Sequence, residues 1–78
     1  MTQDQDEKRL IIPGKDRAII GVTFCHPSRT VYDREKLIQA FHEDEGMTVQ
    51  EAVEWVDFNI VGAYVGPHTP IVVDTQLD

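Results

Sequence analysis

Thr48-Val49-Gln50-Glu51-Ala52-Val53-Glu54-Trp55-Val56 is the stretch on which the reading of the fold turns. A threonine followed three residues later by a glutamate is a capping box. The hydroxyl accepts the Glu51 amide hydrogen, and the Glu51 carboxylate accepts that of Thr48. A helix is therefore predicted to begin at residue 49. Met47 and Ala52 stand where a hydrophobic staple closes over the first turn. Ala52, Val53, Val56, Ile60 and Ala63 then share one face at helical spacing, which predicts a helix continuing to Tyr64 or Val65 and ended by Gly66-Pro67.

Upstream, Asp33 is a good N-cap for a first helix over residues 34–44, with Leu37, Ile38, Ala40 and Phe41 as its apolar stripe. Gly46 supplies the left-handed stop. Residues 17–24 alternate at period two, with Ile20, Val22 and Phe24 on one face and Ile19, Gly21 and Thr23 on the other, which predicts a strand. His26-Pro27-Ser28-Arg29 reads as a type I turn and Thr30-Val31-Tyr32 as the returning strand of a hairpin. Pro70-Ile71-Val72-Val73-Asp74 is a final strand. The expectation is an α+β fold in the order β-β-α-α-β, a small antiparallel or mixed sheet packed against a helical hairpin. Residues 15–75 form its single domain and residues 1–14 a flexible tail. Within that tail, Leu10-Ile11-Ile12 before Pro13-Gly14 is either a short edge strand or an arm docked on the core.

Seventy-eight residues make one domain, whose small core ordinarily needs a disulfide, a metal or a partner for support. The single cysteine, Cys25, excludes an internal disulfide and suits a reducing, cytoplasmic setting. The acidic start, Met1 to Glu7, lacks the basic region of a secretory leader. The longest apolar run, residues 56–65, is interrupted by Asp57 and Asn59 and is too short to span a bilayer. Self-association or a protein partner is the expectation that remains.

Net charge is −7, and its distribution is uneven. All seven basic residues (Lys8, Arg9, Lys15, Arg17, Arg29, Arg34, Lys36) precede position 37, whereas eight acids (Glu43, Asp44, Glu45, Glu51, Glu54, Asp57, Asp74, Asp78) follow it. Such a C-terminal half repels phosphate backbones and anionic membranes. The expected counterpart is a basic protein surface, or the basic end of a second copy, and not nucleic acid or membrane.

The run Val31-Tyr32-Asp33, Lys36-Leu37-Ile38, Glu45-Gly46-Met47-Thr48, Glu51-Ala52, residues 57–66 (above all Asn59 to Gly66) and Thr69-Pro70-Ile71-Val72 resembles a family of small uncharacterised proteins encoded by tailed phages and prophages. The resemblance covers residues 17–74. It implies a phage context and transfers no catalytic residue.

Motifs that invite chemistry fail on spacing. Cys25 and Arg29 enclose three residues, too few for the phosphate loop of a cysteine phosphatase, and they lead into a strand without a helix dipole to activate the thiol. The acidic run Glu43-Asp44-Glu45 before Gly46, placed between the helices, does not make an EF-hand. Registering Gly46 as the sixth loop position puts Phe41 first and Ala52 last, where acids are required. His26, His42 and His68 are scattered, with no metal spacing. No catalytic residue, metal ligand or cofactor is assigned. Asn59 falls beside Ala52, Val56 and Ala63 on the apolar face. It is expected to fasten the helix to a carbonyl near Thr69-Pro70, with lining of a ligand pocket as the alternative.

Trp55 and Phe58 lie on the opposite side of the second helix, interleaved with Glu51, Glu54 and Asp57. Either another element covers these rings, or they stand exposed among acids as a partner site. Glu51, Glu54, Trp55, Asp57 and Phe58 are the expected partner-binding residues. The expected function is a non-enzymatic interaction protein binding a host or phage protein, one form of which is inhibition of a defence or DNA-handling protein by phosphate-like carboxylates. The alternative is a self-associating domain with a small ligand at its oligomer interface.

Overall fold

Strand β1 (Ile19–Val22) is apolar and uncharged, and it pairs antiparallel with β2 (Thr30–Asp33) through Ile19↔Tyr32, Gly21↔Val31 and Val22↔Thr30. The computed structural model describes residues 9–24 and 26–76. A register shift between Ile19 and Gly21 interrupts the ladder. β1 is shorter than the predicted strand because Asp16–Ala18 close a 3-10 turn at its start. At its far end Thr23 and Arg29 lock the connection. The Thr23 N–H donates to the Arg29 carbonyl at 2.8 Å, and the Arg29 N–H donates to Thr23 Oγ1 at 2.9 Å. The His26–Pro27 peptide bond in this connection is cis.

Asp33 is both the last residue of β2 and the N-cap of helix α1 (Arg34–Glu45), so strand passes into helix without a loop. Its Oδ2 accepts the Lys36 amide hydrogen at 3.0 Å, and Oδ1 accepts the Thr75 hydroxyl at 2.5 Å. These donors, the Thr75 hydroxyl first, hold the buried carboxyl below the ordinary aspartate range despite desolvation. Gly46, at φ 72°, takes the left-handed stop. The predicted capping box forms: Thr48 Oγ1 accepts the Glu51 N–H at 3.1 Å, and Glu51 Oε1 accepts the Thr48 N–H at 2.9 Å. It opens helix α2 (Val49–Trp55).

α2 does not continue to Tyr64 or Val65. At Val56 it widens into a π-helical segment, Val56–Val61, which Gly62 ends. Gly66 lies in the following loop and not at a helix end. The chain then forms β3 (Ile71–Val73), which pairs parallel with β2 through Val31↔Ile71, Tyr32↔Val72 and Asp33↔Val73. The sheet is therefore mixed, in the order β1-β2-β3, and both helices lie in the crossover that a parallel pair requires.

The fold is α+β in the order β-β-α-α-β. Ile19, Tyr32 and Val72 meet Leu37, Ile38 and Phe41 of α1, with Ala52 and Val56 from the second helix, in one cluster. Met47 and Ala52, the staple residues, both belong to it. Ile12 packs there as well, and its N–H donates to the buried Tyr32 hydroxyl at 2.7 Å. Residues 10–12 are thus an arm docked on the core and not an edge strand. Ile20, Val22 and Phe24 face solvent. Among the described residues, no helix is long and apolar enough to cross a membrane.

Candidate functional site

The capping box fixes where α2 starts, and so decides which side chains point away from the core. Ala52 and Val56 are fully buried, which turns Trp55 outward. The indole is 43% exposed, and its inner edge packs on Phe41 with ring centroids 6.3 Å apart and planes inclined by 47°. Phe58, three residues on in the π segment, is 79% exposed. Of the two sequence expectations for these rings, Trp55 is half covered by the core and Phe58 is left open.

Glu51, Glu54, Trp55 and Phe58 come together with Met47 and Asn59 around a groove of about 380 Å³. Glu51 uses Oε1 in the capping box, and Glu54 accepts from Gln50 Nε2 at 3.3 Å. Asp57 does not line this groove. Its Oδ1 accepts from Arg34 Nε at 3.1 Å and its Oδ2 from Arg34 Nη2 at 3.0 Å, a bidentate pair reaching back to the first turn of α1. The same pairing pushes the Arg34 pKa up. Of the three acids expected at the partner-binding surface of the second helix, Glu51 and Glu54 therefore line the groove and Asp57 does not.

The acids expected in a loop are also placed differently. Glu43, Asp44 and Glu45 form the end of α1, where negative charge opposes the helix dipole. Basic residues of the N-terminal segment offset this. Arg17 reaches Glu43 at 3.2 Å and Asp44 at 3.1 Å, and its hydrogen bond holds the Asp44 carboxyl below its ordinary value. Lys15 is buried, with Nζ at 3.0 Å from Glu45, 3.8 Å from Asp44 and 4.6 Å from the centre of the Phe41 ring. The charge halves seen in sequence fold onto one another. Lys15 and Arg17 just before a strand, set against three consecutive acids, was the legible signal for this contact.

Asn59 is exposed, not buried. In a π segment each residue turns less about the axis than in an α-helix, so the line through Ala52 and Val56 passes Asn59 by. The fastening role falls to Thr69. Its buried side chain accepts the Val65 N–H at 2.9 Å and donates to the Gly66 carbonyl at 2.6 Å, while its own carbonyl accepts from Arg29 Nε at 2.6 Å. Asn59 instead forms part of two grooves. The second, also about 380 Å³ and mainly apolar, lies between residues 10–13 and Ile60, Ala63 and Val65.

His42 Nδ1 donates to the Met47 carbonyl at 2.6 Å and ties the inter-helix turn, and His68 Nδ1 donates to the Ser28 carbonyl at 3.1 Å. Among the described residues, no three His, Cys, Asp or Glu side chains are grouped to hold a metal ion. Cys25 lies outside the described residues. Comparison with models of protein families, with curated proteins and with solved structures gives no match. The functional reading accordingly rests on the groove and on its chemistry.

Proposed function

We propose that this chain is a non-enzymatic interaction protein of the cytoplasm, phage-encoded as the resemblance over residues 17–74 implies, that binds a host or phage protein through the groove on its second helix. The observation that carries the reading is the exposure of two large aromatic rings, Trp55 at 43% and Phe58 at 79%, beside Glu51 and Glu54 in one concavity. Aromatic side chains in a shallow groove are typical binding anchors, and carboxylates around them favour a basic partner over nucleic acid or membrane. Inhibition of a defence or DNA-handling protein is one form of this function.

The test is capture of a partner from host lysate by the folded chain, compared with Trp55→Ala and Phe58→Ala. A partner lost from both variants, with melting curves close to that of the parent, supports the reading. Equal capture by parent and variants refutes it. The second reading, a self-associating domain with a small ligand at its interface, draws on the apolar groove between the N-terminal arm and residues 60–65. A monomer at all concentrations in analytical ultracentrifugation would exclude it.

A further inference from the structure

We infer that the groove beside Trp55 is a receptor for an arginine side chain presented by the partner. The inference rests on the interaction reading above and specifies what occupies that site. The molecule already contains one filled version of the same chemistry. Lys15 Nζ lies 4.6 Å from the centre of the Phe41 ring and is closed in by Glu45 at 3.0 Å and Asp44 at 3.8 Å. An aromatic face and two carboxylates thus hold a buried cation contributed by a distant part of the chain.

Phe41 also packs on Trp55, at 6.3 Å between ring centroids, and Trp55 in turn lines a groove with Phe58, Glu51 and Glu54, the same types of group. Glu51 stands one α-helical turn before Trp55, and Glu54 lines the same groove as Phe58. The groove they share is lined by acids, aromatics, Met47 and Asn59, and by no basic side chain among the described residues. The second site therefore has the rings and the negative charge of the first without its cation.

A second copy of this chain is a poor source for that cation. Among the described residues, Lys15, Arg17 and Arg34 are committed to the chain's own carboxylates, Arg29 to the Thr69 carbonyl and Arg9 to the Ser28 hydroxyl. That leaves the exposed Lys36, a lysine and not an arginine, as the main cation that a second copy could present. An external basic segment is the complementary occupant. Arginine suits it better than lysine, because a planar, weakly hydrated guanidinium stacks on exposed rings while its edge N–H groups reach carboxylates. The groove volume, about 380 Å³, is at the lower end for ligand pockets and accommodates a side chain more readily than a cofactor.

The probe is N-acetyl-arginine amide, titrated at low salt into the isotope-labelled full chain, with N-acetyl-citrulline amide as the neutral isostere and N-acetyl-lysine amide as the second cation. The single tryptophan makes its indole N–H resonance a unique reporter of the groove. A saturable shift of that resonance is expected with the arginine probe, several-fold weaker with lysine and absent with citrulline. Glu54→Gln should weaken arginine binding several-fold while the melting temperature is retained. No shift with arginine, an equal response to citrulline or lysine, or an unchanged affinity in Glu54→Gln would overturn the assignment. Those failures leave the wider reading to be decided by the Trp55→Ala capture experiment, since a partner can use the rings without an arginine.

Discussion

The two helical runs of this chain have similar lengths and equally good starting signals, yet only the first behaves as its sequence predicts. α1 lies between the Asp33 cap and left-handed Gly46, and Leu37, Ile38, Ala40 and Phe41 are all buried. The second run begins at its capping box and then loses α-helical geometry at Val56, the last fully buried residue along it. Beyond it Val61, Tyr64 and Val65 are exposed, so little burial rewards continued helical order. Thr69 offers the Val65 amide another acceptor. A helix start can be encoded by four local residues, whereas its end here depends on what the rest of the fold covers.

The largest expected effect lies in the well-behaved helix. Leu37→Ala should cost about 2–5 kcal/mol, because a fully buried side chain at the centre of the cluster is replaced by a cavity. Urea denaturation measures it, and a cost under about 1 kcal/mol would mean that α1 is not the principal support of the core. Asp33→Ala should follow at about 2 kcal/mol, the upper part of the capping range, since the carboxylate also accepts from Thr75. Because folding lowers the Asp33 pKa, its stabilisation is complete above the ordinary carboxylate range and is lost as pH falls through the folded value. Acid unfolding curves of the parent and Asp33→Asn should accordingly converge at low pH.

Thr48→Ala should cost about 1 kcal/mol, which thermal melting resolves, and an unchanged melt would show that the capping box does not hold α2. The smallest change belongs to the irregular region. Asn59→Ala should alter stability by less than about 0.5 kcal/mol, as expected for an exposed side chain without a structural bond. A loss of 1 kcal/mol or more would restore the buried, fastening role that its position in the sequence suggests.

Both helix starts, the Gly46 stop, the element order and the apolar stripe of α1 were readable because each follows from neighbouring residues. The candidate site was legible in part. Trp55, Phe58, Glu51 and Glu54 do share a surface, but Asp57 is drawn away by Arg34 from another element. No pattern within the second helix announces that pair. Thr69 was missed for the same reason: a buried hydroxyl that organises a loop and receives Arg29 from across the chain has no local signature. Lys15 and Arg17 did leave a signal, a basic pair facing a run of acids, though only the folded chain shows which charges meet.

The central strand also has a consequence for how the molecule assembles and opens. β2 pairs on one edge with β1, a neighbour across a short connection, and on the other with β3, from which both helices separate it. Closing the first pair costs little chain entropy and closing the second costs more, so the hairpin and α1 are the natural early structure and β3 joins late. The same asymmetry applies in reverse to local fluctuations of the native state. β3 is three residues long and only partly buried, and its release would uncover an edge of β2 and free the Asp33 carboxylate from Thr75. Excursions of the folded protein should therefore begin at its third strand, leaving the hairpin and the first helix closed.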